Sequence, residues 1–190
     1  MTYSHLNDFP ADVRERAAKI RLAVFDVDGT LTNGQIWIGA GGRVMSAFHV
    51  LDGMGLKLLQ KYGVEVALIS ARPGKVVALR ARELEIKHTY VGVKDKLKCL
   101  DAVGAQLGIP REEIAYMGDD LNDLRTIEAV GLGVTPADAH PWIRERAHWR
   151  TRHNGGCGAA REVCDLILAA QGKAEEIIKG FSETTEPAEA

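Results

Sequence analysis

The chain has 190 residues, 46% of them hydrophobic and 26% charged, with a formal net charge of −2. That length supports one domain with a real core, and the near-neutral charge offers no electrostatic footprint for nucleic acid or an anionic membrane. Three cysteines (Cys99, Cys157, Cys164) without paired spacing read as reduced thiols, not as a disulfide framework or a zinc site.

The opening Met-Thr-Tyr-Ser-His-Leu-Asn-Asp has neither a basic segment nor an apolar run, so no signal peptide is expected. No later stretch reaches the length of a bilayer span. The expectation is a soluble cytoplasmic protein. Residues 11–20 place Val13, Ala17 and Ile20 on one face of a short leading helix. Residues 22–27 read as the first strand. Two short β-prone runs, 35–38 and 43–48, flank Gly-Ala-Gly-Gly and read as a hairpin. Trp37 and Ile38 would either join the core or form an apolar interface patch on that hairpin. A helix follows from Asp52.

The pattern then alternates. Strands are expected at 64–69, 88–93, 114–117 and 132–134, with an edge strand at 149–151. Helices are expected at 75–84, 96–107, 121–130, 141–146 and 159–170. Short strands alternating with helices imply an α/β fold, a doubly wound, Rossmann-like, mostly parallel sheet with helices on both faces. The expected division is a leading helix over 1–20, a single domain over 21–172 and a polar, partly disordered tail over 173–190, with little to bury from Ser182 onward.

Four polar signals fall at strand ends. Asp26-Val-Asp28-Gly-Thr-Leu-Thr32 follows the first strand, and side chains two apart leave a strand on one face. Gly29 permits the turn, and Thr30 and Thr32 add hydroxyls suited to a cation and a phosphate. Ser70 ends the strand 64–69, Lys96 follows 88–93, and Gly118-Asp-Asp-Leu-Asn-Asp123 follows 114–117. Ligands of open α/β sheets bind beyond the carboxyl ends of the strands, so one site can collect all four.

Their chemistry is consistent. Asp26 can attack phosphorus and divide hydrolysis into two easier steps. Asp28 can protonate the leaving alkoxide and later deprotonate water, an acid that halide expulsion does not need. Asp119 with Asp26 can hold Mg²⁺, which takes one or two carboxylates and keeps waters. Lys96 can offset charge on the phosphoryl oxygens, and Ser70 can donate to them. The plainer readings are a solvated turn or a sugar-nucleotide transferase motif for Asp26 and Asp28, a helix N-cap for Ser70, and an ordinary helix-face lysine for Lys96. For Asp120 and Asp123 the plainer reading is helix-start charges.

Taken in order, these motifs resemble the four motifs of the haloacid-dehalogenase-like phosphohydrolases over about residues 20–170. The resemblance implies a nucleophile at Asp26 and an acid/base at Asp28. It also implies Mg²⁺ held by Asp26, the Asp28 main-chain carbonyl and Asp119, with Asp120 and Asp123 supporting the loop. Neither the interval from Asp26 to Ser70 nor that from Ser70 to Lys96 leaves room for a cap domain. A capless chain looks like the 3-deoxy-D-manno-octulosonate 8-phosphate phosphatase branch. So do Phe48-His-Val-Leu-Asp-Gly-Met-Gly, Ile69-Ser-Ala-Arg and Gly155-Gly-Cys-Gly-Ala-Ala-Arg-Glu162.

That branch implies homotetramers, a substrate contact at Arg72, and a glycine-rich tail laid over a neighbour's site. It implies lipopolysaccharide precursor synthesis as the setting. Tyr90-Val-Gly-Val departs from the branch's common Tyr-Gln-Gly, and Val91 removes a polar side chain beside the third motif. Two alternatives stand: a phosphatase for nine-carbon, sialic-acid-like 9-phosphates, and a non-catalytic oligomerisation module on the same fold.

Overall fold

The computed structural model describes residues 8–41 and 44–183. Helix α1 (Ala11–Ala17) leads into β1 (Leu22–Phe25), whose four residues are all buried. Leu22 and Val24 face one layer, Ala23 and Phe25 the other, so the strand is apolar on both sides, as a parallel sheet covered twice requires. Next come β2 (Trp37–Ile38) and β3 (Val44–Met45), paired antiparallel as a separate hairpin. The chain continues through α2 (Val50–Lys61), β4 (Glu65–Ser70), α3 (Lys75–Glu83), β5 (His88–Val91) and α4 (Lys96–Leu107). The remainder is β6 (Ile114–Met117), α5 (Leu124–Ala129), β7 (Leu132–Thr135), α6 (Pro141–Arg144), β8 (Trp149–Arg150), α7 (Ala159–Ala170) and α8 (Ala174–Glu183).

The main sheet has the order β5-β4-β1-β6-β7-β8 with every pair parallel. Helices α1, α2, α3 and α7 pack with Ala23, Phe25, Leu68 and Met117 on one face. Helices α4, α5 and α6 pack with Val24, Ala67, Ile69 and Tyr116 on the other. This is the doubly wound fold that the alternation predicts. Between Asp26 and Lys96 the described residues hold only the hairpin, α2, β4, α3 and β5, with no cap domain. No helix among the described residues is long and apolar enough to cross a membrane.

The differences from the sequence reading lie at element ends. β1 stops at Phe25 because the chain turns after Asp26, although the Asp26 N–H still extends the ladder to the Met117 carbonyl at 2.9 Å. Helix α2 starts at Val50, two residues before Asp52, and residues 121–123 form a 3₁₀ turn ahead of α5. Residues 174–183, read as part of the polar tail, form α8, which seats Ile177 against the core and leaves Ile178 and Phe181 exposed. A spacing of three to four residues gives it an apolar stripe that the acidic composition disguises. The turn residues 42–43 and the tail over 184–190 lie outside the described residues.

One buried carboxylate joins the two central helices of the first layer. Asp52 in α2 accepts the Arg161 N–H at 2.8 Å and the Gly158 N–H at 3.3 Å, capping α7 from outside its own chain segment. Helix N-termini leave such donors unpaired. Asp52→Ala is therefore expected to lower unfolding stability by about 1–3 kcal/mol. Urea denaturation would show this as a lower midpoint at unchanged slope; an unchanged midpoint would mean the two bonds contribute nothing.

Candidate active site

The sheet order reverses at β1, and the carboxyl ends of β1, β4 and β6 open at that switch point, where doubly wound sheets bind ligands. Asp26 leaves β1 there and is buried. Lys96 is the first residue of α4, where its charge opposes the helix dipole. Two carboxylates outweigh that cost: its ammonium lies 2.8 Å from Asp26 Oδ1 and 2.6 Å from Asp123 Oδ1.

Asp123 is fully buried and saturated with donors. Its Oδ1 accepts Lys96 Nζ and, at 2.5 Å, the Tyr116 hydroxyl. Its Oδ2 accepts the N–H groups of Asp119 and Asp120 at 3.1 and 3.2 Å. Asp120 is exposed, and its own Oδ1 takes the Leu121 N–H at 2.7 Å, starting the 3₁₀ turn. Asp119 Oδ1 accepts the Thr30 hydroxyl at 3.3 Å. Asp119 also occupies the space over Gly29, whose φ is +89° and where a Cβ would sit 2.1 Å from Asp119 Oδ2. Only glycine meets both demands.

Asp28 lies at the rim, half-buried, with its Oδ2 3.3 Å from Arg72 Nε. Ser70 is buried at the end of β4, and its hydroxyl receives the Arg72 N–H at 3.2 Å. It is not a helix cap, because α3 begins at Lys75 behind Gly74. Thr30 and Thr32 depart from expectation. Both hydroxyls serve the loop: Thr30 bonds Asp119, and Thr32 Oγ1 donates to the Val27 carbonyl while accepting from Gly29 and Gly34 N–H. The glycine-rich stretch also departs from the picture of a tail over a neighbour. Gly155 and Gly156 pack in their own chain against Gly29, Thr30 and Thr32.

One carboxylate oxygen each from Asp26, Asp119 and Asp123 lie within 4.8 Å of one another. Burial, then the charge of Asp123, pushes the Asp26 carboxyl up to about 6, with Lys96 pulling the other way. Burial, then Asp26 and Asp123, pushes Asp119 up to about 8 against the Thr30 hydrogen bond. Burial works against the Lys96 ammonium, but Asp26 and Asp123 outweigh it and its pKa rises. Once all three are ionised, the carboxylates against one ammonium carry a net double negative charge that a divalent cation would neutralise. The donors are all oxygen, which suits a hard ion. Asp123 is already saturated, so Asp26 and Asp119 retain the oxygens to offer.

Tyr116 was absent from the sequence reading. Its signal was a tyrosine inside the short, wholly apolar strand that precedes the acidic loop: a buried phenol needs a partner, and the nearest are the acids beyond that strand.

Comparison with known proteins agrees with this geometry. A family model for haloacid dehalogenase-like hydrolases matches residues 92–163. The 3-deoxy-D-manno-octulosonate 8-phosphate phosphatase of Yersinia pestis is 47% identical over 164 residues, covering 86% of this chain and 88% of its own. A crystal structure of a hypothetical protein from Xanthomonas campestris superposes with a TM-score of 0.92 at 51% identity, covering 96% of this chain and 100% of that one. The Moraxella catarrhalis 3-deoxy-D-manno-octulosonate 8-phosphate phosphatase, solved with magnesium, phosphate and KDO, gives 0.89 at 38% identity, covering 91% and 99%. The non-catalytic alternative falls with these matches. The chain belongs to the haloacid dehalogenase-like hydrolases, in the capless branch that the 3-deoxy-D-manno-octulosonate 8-phosphate phosphatases represent, and is a phosphoric monoester hydrolase.

Proposed function

We propose that this protein is a Mg²⁺-dependent phosphatase that hydrolyses 3-deoxy-D-manno-octulosonate 8-phosphate through a phosphoaspartate, in the cytoplasm, for lipopolysaccharide precursor synthesis. The observation that carries the reading is Lys96 bridging Asp26 and Asp123 beside Asp119 at the switch point. The identity to the named phosphatases supports the substrate.

Asp26 attacks phosphorus through its carboxylate, and the bond from phosphorus to the sugar oxygen breaks. Asp28, at the rim, gives its proton to that departing oxygen. A water then loses its proton to Asp28 and attacks the phosphoaspartate, which frees inorganic phosphate and restores Asp26. Lys96 holds the Asp26 carboxylate in place and offsets charge on the phosphoryl oxygens. Ser70, at the end of the strand beside β1, would donate its hydroxyl to the same oxygens. Asp123 fixes Lys96 on one side and the Asp119 main chain on the other, while Asp120 shapes the turn between them. Asp26, Asp119 and the Asp28 carbonyl would hold Mg²⁺, which when bound would supply positive charge offsetting the repulsion between a phosphate dianion and a carboxylate nucleophile. Arg72 would recognise the sugar acid, since a guanidinium pairs well with a carboxylate.

The hairpin supports self-association as a homotetramer. Trp37, Ile38 and Met45 are 61%, 74% and 65% exposed, an apolar patch of the kind that marks an interface. Size-exclusion chromatography with light scattering is expected to give a tetramer that Trp37→Glu dissociates; a monomeric wild type would contradict it.

Asp26→Asn is expected to reduce phosphate release by more than about 10⁴-fold, and Asp28→Asn by about 10²–10⁴-fold. Normal turnover by Asp26→Asn would exclude the nucleophile. Val91, exposed at the end of β5, is the observation that keeps nine-carbon substrates in view. The ratio of kcat/KM for eight- and nine-carbon ulosonate phosphates decides between them.

The raised Asp26 and Asp119 carboxyls also make a stability prediction. Above the unfolded value near 3.8 the metal-free fold keeps protons that the unfolded chain has released. Stability is then fully present below that value and is lost as pH rises through about 6 and about 8. Chelator-treated wild type should show a falling Tm between about pH 5 and pH 8 relative to Asp119→Asn, and Mg²⁺ should restore it. A wild-type curve parallel to that of Asp119→Asn would refute the assignment.

A further inference from the structure

The chemical step makes no use of the run Gly155-Gly156-Cys157-Gly158-Ala159-Ala160-Arg161-Glu162, yet its first two residues pack main chain to main chain against the nucleophile turn. A Cβ on Gly155 would lie 1.8 Å from the Gly29 carbonyl oxygen. One on Gly156, whose φ is +61°, would lie 2.3 Å from the Thr32 carbonyl carbon and 2.5 Å from the Asn33 nitrogen. The Gly156 N–H donates to the Thr30 carbonyl at 2.9 Å. Such main-chain contact needs two residues without side chains.

The run is fastened at both ends. Glu162 accepts the N–H groups of Arg152 and His153 at 2.8 and 2.9 Å, and Asp52 accepts those of Gly158 and Arg161. Its middle is fastened by the loop after β7: Ala137 N–H donates to the His153 carbonyl at 3.0 Å, and Asp138 Oδ1 accepts the Gly155 N–H at 2.9 Å. The same loop holds Asp119, because the His140 N–H donates to the Asp119 carbonyl at 2.8 Å. On its far side the clamped turn meets Asp119 through Thr30 and Gly29. Asp26 and Asp123 are buried and Asp119 is half-buried, and as carboxylates the three repel one another. Their loops need an outside restraint to stay converged.

We propose that residues 152–158 form a strap, anchored by Asp138, that clamps the Gly29–Asn33 turn against Asp119 and so sets the spacing of the carboxylates that take up the divalent cation. The strap rests on the metal-dependent reading above and deepens it. Asp138 and Gly155 are positioning residues, since neither reaches the reacting atoms. Asp138 stands in a loop that no motif marks, and its carboxylate meets the strap at the Gly155 N–H.

Calorimetric titration of the full chain with Mg²⁺ alone tests this without substrate. Asp138→Ala removes the acceptor of one exposed residue and should weaken Mg²⁺ roughly fivefold, the scale of one lost hydrogen bond. Asp138→Asn keeps an acceptor oxygen and should restore affinity to about the wild-type value. Gly155→Ala should weaken it roughly tenfold or more, because the Gly29 carbonyl must move. Wild-type Mg²⁺ affinity in Asp138→Ala would overturn the strap, and so would equal weakening by Asp138→Ala and Asp138→Asn. A wild type that binds Mg²⁺ but leaves ulosonate phosphates intact would overturn the substrate reading and leave the strap standing.

Discussion

One ammonium group sits among two buried carboxylates and a half-buried third at the carboxyl edge of the sheet, and its placement governs the architecture around it. Removing carboxylates from water is costly unless they are paired and hydrogen-bonded. Lys96 meets that requirement for Asp26 and Asp123 together, and to do so α4 must begin with a lysine against its own dipole. Asp123 completes the arrangement with four donors, two of them main-chain groups of the loop that carries Asp119. The site is thus built outward from one fixed charge. What it still lacks is positive charge, and that deficit is the physical basis for a divalent cation.

Close approach of main chain is the second constraint. The glycine of the first motif permits a turn, but it also vacates the volume into which Asp119 fits. Gly155 and Gly156 do the same from the opposite side. A side chain at Gly29 would collide with Asp119, and one at Gly155 or Gly156 would collide with the main chain of the Gly29–Asn33 turn, so each would shift that turn relative to the acidic loop. The glycine-rich run belongs to the inner frame of its own active site, which explains why it lies between an acid-capped helix start and the loop after β7.

Without a cap, the rim of the site carries little beyond Asp28 and Arg72, and these two are paired with each other. An exposed ion pair of this kind is weak, so on the proposed mechanism a substrate acid would compete for the guanidinium and free the Asp28 carboxyl. Enclosure must then come from other surfaces. The apolar hairpin leaves Trp37 and Ile38 largely exposed, and on the proposed self-association it is the surface that would meet a second copy.

Much of this was legible in the residues. Strand alternation gave the doubly wound sheet, because apolar runs covered on both faces have few other solutions. The acid pair, Lys96 and the acidic loop could be placed at one sheet edge from topology alone. Helix α8 escaped because its stripe of Ile177, Ile178 and Phe181 sits in acidic surroundings. Tyr116 escaped because a buried tyrosine reads as core until its hydroxyl has a partner. The inward turn of Thr30 and Thr32, the volume that Gly29 yields to Asp119 and the contact of Gly155 with Gly29 join parts of the chain that are distant in sequence. Sequence determined which groups are present and at which end of the sheet they gather, since both follow from local pattern and chain direction. Tertiary structure alone decided which oxygen faces which donor, since hydrogen bonds and close contacts depend on distances that no local pattern encodes.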